Sequence, residues 1–188
     1  MSMYKSMRGT FIQEYKERSP QYKERIVKWS SEPPVLRIDG PTNIARARTL
    51  GYKAKEGVIV ARVHVLGGTK KRPANSGGRK PSKSGRFFTR RKSTQAIAEE
   101  RANRKFTNFE VLNSYFVGAA GSDQFYEVIL LEKANQVILS DPHYAPIVSQ
   151  ANRAARGLTF EGRKHRGISR KGFGTIRFRP SKRANDRS

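Results

Sequence analysis

The spacing of hydrophobic positions changes along the chain, and each change marks an element. Met3, Met7, Phe11 and Tyr15 recur at four-residue steps, which predicts an amphipathic first helix in spite of Gly9. Ser19-Pro20 opens a second helix, with a hydroxyl to cap exposed N–H groups and then a residue that lacks one. Tyr22, Ile26 and Trp29 share one face of it, and Pro33-Pro34 ends it. Val35 to Ile38 predicts a short strand. Thr42 stands where it can cap a brief helix that closes at Gly51, a residue suited to a left-handed exit. From Val58 to Leu66 the period falls to two. Ile59, Ala61, Val63 and Val65 lie on one side, with Arg62 and His64 on the other, as in a strand with one buried and one partly polar face.

Residues 67–92 lose all periodicity and predict a linker, a disordered segment or a functional loop. Ser93 is placed to cap a helix that runs to about Lys105, with Ala98, Ala102 and Phe106 on one face beside Ile97. Val111 to Val117 and Phe125 to Leu131 are β-rich, and the Gly118-to-Asp123 connection predicts a hairpin. Asp141-Pro142 begins a further turn or helix that ends near Arg153. The core order is β-α-β-α-β-β. The organisation expected is N-terminal helices over 1–34, a globular core from 35–66 and 93–152, a basic loop over 67–92 and a basic extension over 153–188.

Charge sharpens that division. The 188 residues hold 39 Lys and Arg against 15 Asp and Glu, a formal +24 with a pI near 11.0. Residues 93–152 carry 4 basic and 7 acidic residues, so almost all of the excess lies elsewhere. The 67–92 segment has 10 Lys or Arg and no acid, and 153–188 has 12 against 2. Such an excess repels itself in free solution and implies a polyanionic partner. With no cysteine, disulfides and thiolate metal sites are excluded. No run approaches the ~20 apolar residues of a membrane span, and the N-terminus lacks a secretory h-region, so a soluble intracellular protein is expected.

The basic tracts mix cations with Gly, Ser and Phe, as in Gly85-Arg86-Phe87-Phe88 and Ile176-Arg177-Phe178-Arg179. Lys and Arg neutralise phosphates and release counterions, while phenylalanine on a basic strand can stack on unpaired bases. The residues expected to touch nucleic acid in the loop are Lys70, Lys71, Arg72, Arg79, Lys80, Lys83, Arg86, Arg90, Arg91 and Lys92. Those in the tail are Arg163, Lys164, His165, Arg166, Arg170, Lys171, Arg177, Arg179, Lys182 and Arg183. Trp29, Tyr115 and Tyr126 sit at core spacings. Tyr52 is kept with the binding residues because Arg46, Arg48, Lys53 and Lys55 place positive charge on both sides of its glycine turn. Charge alone does not separate DNA from RNA.

Catalytic chemistry is thin. His64, His143 and His165 fall in a strand, a turn and a basic tail, with no spacing that converges on one phosphate. Glu99-Glu100 is the only adjacent carboxylate pair, and both are expected on a helix surface, one of them bridged to Arg104. There is no phosphate-binding Gly-x4-Gly-Lys-Ser/Thr loop and no zinc ligand set, so neither cofactor nor metal is implied.

The segment Arg46 to Gly57, RARTLGYKAKEG, resembles the archaeal and eukaryotic large-subunit ribosomal protein family fifteen-e. The resemblance continues through EPPVLRI (Glu32 to Ile38), GVIVARVHVLGG (Gly57 to Gly68), AEERANRKF (Ala98 to Phe106) and EVLNSYFVG (Glu110 to Gly118). It includes FYEVIL (Phe125 to Leu130) and RGLTFEGRKHRG (Arg156 to Gly167), and it closes on RPSKRAN (Arg179 to Asn185), an archaeal-looking ending. Phe116 stands where that family usually has Trp, Glu132-Lys133 where it has Asp-Pro, and Gly40 where Arg is common. The resemblance implies an α+β core with a small antiparallel sheet. It also implies a cytoplasmic, non-enzymatic protein of the large subunit, whose basic loop and tail thread into rRNA beside neighbouring ribosomal proteins. The competing reading is an RNA chaperone or chromatin-like binder outside the ribosome.

Overall fold

The computed structural model describes residues 3–68 and 92–166. The first helices form as their spacing predicts: α1 spans Met3–Glu17 and α2 spans Pro20–Ser31, with Ser19 Oγ accepting from the Tyr22 N–H at 3.2 Å. Between them Arg18 takes a left-handed backbone (φ 53°), and its guanidinium lies 4.7 Å from the Tyr15 ring and 5.2 Å from the Tyr22 ring.

Four antiparallel strands follow among the described residues: β1 (Val35–Ile38), β2 (Val58–Leu66), β3 (Phe109–Ala120) and β4 (Asp123–Glu132). Their order in the sheet is β1-β2-β4-β3. With α3 (Ile44–Thr49) and α4 (Thr94–Lys105) the chain runs β-α-β-α-β-β, the α+β arrangement expected.

One face of the sheet packs on α4. Ile59, Ala61, Val63 and Val65 of β2 meet Ile97, Ala98, Ala102 and Phe106 there, together with Val111, Tyr126, Val128 and Leu130. Burying each such Val, Leu or Ile contributes roughly 1.5–3 kcal/mol. The other face packs on α2 and α3 through Tyr22, Ile26, Trp29 and Ala47. With both faces covered, β4 is buried continuously from Phe125 to Leu131, without alternation. The polar side of β2 is covered as well. Arg62 lies 4.4 Å over the Trp29 ring, and His64 stacks on Phe125 at 5.1 Å.

Several local expectations are corrected. The cap of α3 is Asn43, whose Oδ1 accepts from the Arg46 N–H at 2.9 Å; Thr42 turns inward instead, toward Glu127. Gly51 does take the left-handed exit, at φ 97°. The hairpin connection is only Gly121-Ser122, because Gly118, Ala119 and Ala120 pair in the ladder with Phe125, Gln124 and Asp123. Small residues read as a turn therefore lie in a strand. Register shifts between Val111 and Asn113 and between Phe116 and Gly118 bend β3.

Beyond β4 lie four short helices, α5 (Gln136–Leu139), α6 (Ala145–Val148), α7 (Arg153–Arg156) and α8 (Phe160–His165), of which α6 alone falls within the stretch from Asp141 to Arg153 where one turn or helix is expected. Asn152 takes a left-handed backbone (φ 55°), which breaks the chain direction before α7. Ala154 of α7 joins the α4 face of the core, and Thr159 and Glu161 are buried. Residues 153–166 thus pack on the globular body.

Candidate nucleic-acid interface

The acidic residues explain much of the surface, because several of them are inside. Glu127 of β4 has no exposed surface. Its carboxylate accepts from the Thr42 N–H at 3.0 Å and from the hydroxyls of Thr42 and Tyr115, with Arg62 at 3.9 Å. Glu110 of β3, also fully buried, accepts from the N–H groups of Asn152 and Arg153, both at 2.9 Å, and so holds the start of α7. Glu99 of α4 departs from the surface position expected of it, being only 1% exposed. It accepts from Ser114 Oγ and Thr159 Oγ1, each at 2.5 Å, tying α4 to β3 and to the cap of α8. Only its neighbour Glu100 fits the expectation, with Arg104 at 4.0 Å and Lys92 directly beside it.

Burial pushes the carboxyls of Glu99 and Glu127 above their ordinary value, against the pull of these hydrogen bonds. Asp141 goes the other way. Lys55 and Lys53, each at 3.0 Å, and the His143 N–H hold it well below the usual carboxylate range. The phenol of Tyr144, buried beside Asp141, is pushed up to about 12.

With carboxylates spent on internal links, the cations face outward in two groups. On the α2 side of the sheet, Arg46 and Arg48 are exposed on α3. The Arg48 guanidinium lies 5.6 Å from the Tyr4 ring of α1. Tyr52 is half-buried against the Tyr22–Trp29 cluster, so its ring is engaged in packing. Lys53 and Lys55 keep 44% and 41% of their side-chain surface but share Asp141, which offsets part of their charge.

On the α4 side, α8 exposes Arg163, Lys164 and His165, with Lys164 3.8 Å from Glu161. Arg166 closes α8 and donates to the Arg156 carbonyl at 3.4 Å. Lys92, His165 and Arg166 come together on one cleft between α4, α7 and α8, while the α3 group lies across the sheet from them. Of the other residues expected to touch nucleic acid, Lys70, Lys71, Arg72, Arg79, Lys80, Lys83, Arg86, Arg90 and Arg91 lie outside the described residues. So do Arg170, Lys171, Arg177, Arg179, Lys182 and Arg183.

Sequence reasoning missed Arg156, which lines the same cleft, and Arg101 and Arg104, exposed on α4. For the two on α4 a signal was present: Ala98, Ala102 and Phe106 on one face leave Arg101 and Arg104 turned away from it. Among the described residues no group of His, Asp or Glu could hold a metal ion, and no helix is long and apolar enough to cross a membrane.

The family model described as Ribosomal L15, the L15e family, matches residues 2–185. The chain belongs to that family. Curated relatives named large ribosomal subunit protein eL15 agree along most of its length. The protein of Methanocella arvoryzae is 50% identical over 87% of this chain and 85% of its own. That of Picrophilus torridus is 46% identical over 89% and 88%, and that of Nanoarchaeum equitans 42% over 98% of both chains. This L15e-family chain is therefore a structural, non-enzymatic protein of the large ribosomal subunit, of archaeal type, located in the ribosome in the cytoplasm.

Proposed function

We propose that this chain binds and stabilises large-subunit rRNA by gripping phosphates with cations arrayed around a small folded body, while neighbouring ribosomal proteins touch its globular surface. The grip comes from the basic segments 67–92 and 153–188, supported by Arg46 and Arg48 on α3. The observation that carries the reading is charge sorting: Glu99, Glu110 and Glu127 are buried in hydrogen-bonded links, while most of the basic residues of α3, α4 and α8 stay at the surface. Cations left without acidic partners attract polyphosphate and release its counterions, which favours binding on any sequence. Such cations fix register on the RNA without reading bases.

The test is to neutralise Arg163, Lys164, Arg166, Arg170 and Lys171 together and to titrate an rRNA fragment at several salt concentrations. The slope of log K against log salt should become shallower by up to ~0.7–0.9 for each phosphate no longer neutralised. Single substitutions should be mild, and the weakening should be similar on unrelated RNA helices. One substitution that abolished binding to a single site, with general affinity and salt slope unchanged, would make the tail a base reader and refute the phosphate assignment. Mass spectrometry of salt-washed ribosomes adds a second check. One copy per large subunit is expected, and a variable, exchangeable occupancy would favour an RNA chaperone instead.

A further inference from the structure

Residues 69–91 and 167–188 join the described body at Lys92 and at Arg166, and both of these line the same cleft between α4, α7 and α8. The cleft is small, about 110 Å³. Its floor is made of alanine and glycine, Ala96 and Ala154 with Gly157 and Gly162, where a side chain on Gly162 would collide with the Gly157 backbone at 2.6 Å. That floor offers no donor to a phosphate but a smooth apolar surface to a flat ring. The rim is different. Lys92, Arg156 and Arg166 stand around it, and its one carboxylate, Glu100, is already engaged by Lys92 with Arg104 at 4.0 Å.

An apolar floor with a cationic rim suits an unpaired nucleotide better than the alternatives. A duplex buries its base faces against each other and presents phosphates, sugars and base edges, leaving an apolar floor without a flat ring to cover it. An unstacked base can lie on apolar atoms and against arginine guanidinium planes while its neighbours' phosphates meet the rim.

We propose that this cleft takes one unpaired RNA nucleotide, its base on the alanine–glycine floor and its flanking phosphates on Lys92, Arg156 and Arg166. The proposal rests on the rRNA-binding reading and deepens it, because it adds a stacking site to interactions that are otherwise electrostatic.

The test uses the full-length chain and two probes of equal length and charge per strand: a single-stranded oligoribonucleotide carrying one 4-thiouridine, and an RNA duplex. Ala155 lines the cleft and is exposed, so Ala155→Leu fills the space without changing charge. Single-strand affinity should fall roughly 5- to 150-fold, which corresponds to the ~1–3 kcal/mol contributed by one stacked base. Duplex affinity and both salt slopes should stay unchanged, and Ala155→Ser should behave as the parent. On the unmodified chain, 4-thiouridine should crosslink within 92–100 or 154–166. An Ala155→Leu variant that binds the single strand like the parent, or crosslinks confined to other residues, overturns the proposal. So does an equal fall in affinity on both probes. If the unmodified chain bound neither RNA, the rRNA-binding reading itself would fall. Binding to both with crosslinks elsewhere would remove only the cleft.

Discussion

Glu99 and Asp141 are both carboxylates with accessible surface of a few per cent, yet their surroundings give stability opposite dependences on pH. Glu99 is held by two neutral hydroxyls, and burial raises its pKa above the ordinary 4.5. The folded chain therefore keeps a proton there after the unfolded chain has released it, so this residue's contribution falls as pH rises from 4.5 through the folded value. In Glu99→Gln that slope should vanish: urea denaturation from pH 4 to 7 should show the variant gaining on the parent as pH rises. A difference that stayed constant would mean that Glu99 titrates alike in both states. Asp141 is fixed by two ammonium groups and has a lowered pKa. Its contribution is complete above the ordinary 3.8 and disappears as the pH falls through the depressed folded value, so Asp141→Asn should remove part of the chain's acid sensitivity.

At the scale of elements, the packing of α8 on α7 depends on two glycines that touch. A methyl on Gly162 would lie 2.6–2.9 Å from three backbone atoms of Gly157, which cannot swing aside as a side chain could. Gly162→Ala should cost roughly 1–3 kcal/mol by displacing α8. Gly9, in the exposed interior of α1 with nothing within 4 Å, should instead gain ~0.5–1 kcal/mol on mutation to alanine. Chemical denaturation of the two variants should move in opposite directions, and a neutral Gly162→Ala would mean that α8 is loosely held. Elements of this kind were unequally legible in the sequence. The strand Val58–Leu66 and the caps Ser19 and Ser93 were readable because a period or a hydroxyl states them locally. The cap at Asn43, the burial of Glu99 and the extension of β3 to Ala120 were not. The first two depend on residues distant in sequence, Glu127 drawing Thr42 inward and Thr159 and Ser114 supplying donors to Glu99; the third is local, because small residues that read as a turn pair across a two-residue connection, Ala120 with Asp123. For the proposed interface, the sequence named Lys92 and Arg166 but not Arg156. It did not reveal that Lys92, Arg156 and Arg166 share a cleft, since that neighbourhood is made by the packing of α4, α7 and α8.

At the scale of the molecule, the described body buries several of its carboxylates in its own hydrogen bonds, so the body and the basic 69–91 segment should be separable. Replacing 69–91 with a Gly/Ser bridge, and keeping Gly67 and Lys92, should leave the circular dichroism of the folded body intact. RNA affinity should drop, and its salt slope should become shallower by ~0.7–0.9 for every phosphate the segment had neutralised. Collapse of the fold in that variant would show that the segment belongs to the core.

The two ends of that segment are fastened to one place. The Gly67 N–H donates to the Ser122 carbonyl at 2.6 Å, and Thr94 Oγ1 donates to Gln124 Oε1, also at 2.6 Å, so one end is held at the turn of the β3–β4 hairpin and the other two residues along β4 from it. A cut between them divides the sheet into an amino-terminal pair, β1-β2, and a carboxyl-terminal pair, β4-β3, joined along the nine-residue register from Val58↔Leu131 to Leu66↔Asp123. The protein is in this sense two half-sheets that pair along this register, and the pairing itself should suffice to hold them there without peptide continuity from 69 to 91. Fragments 1–80 and 81–188, expressed together, should reassemble into a one-to-one complex with the circular dichroism of the parent chain. Recovery of two independent, unassociated fragments would show that covalent linkage is needed to bring β2 onto β4.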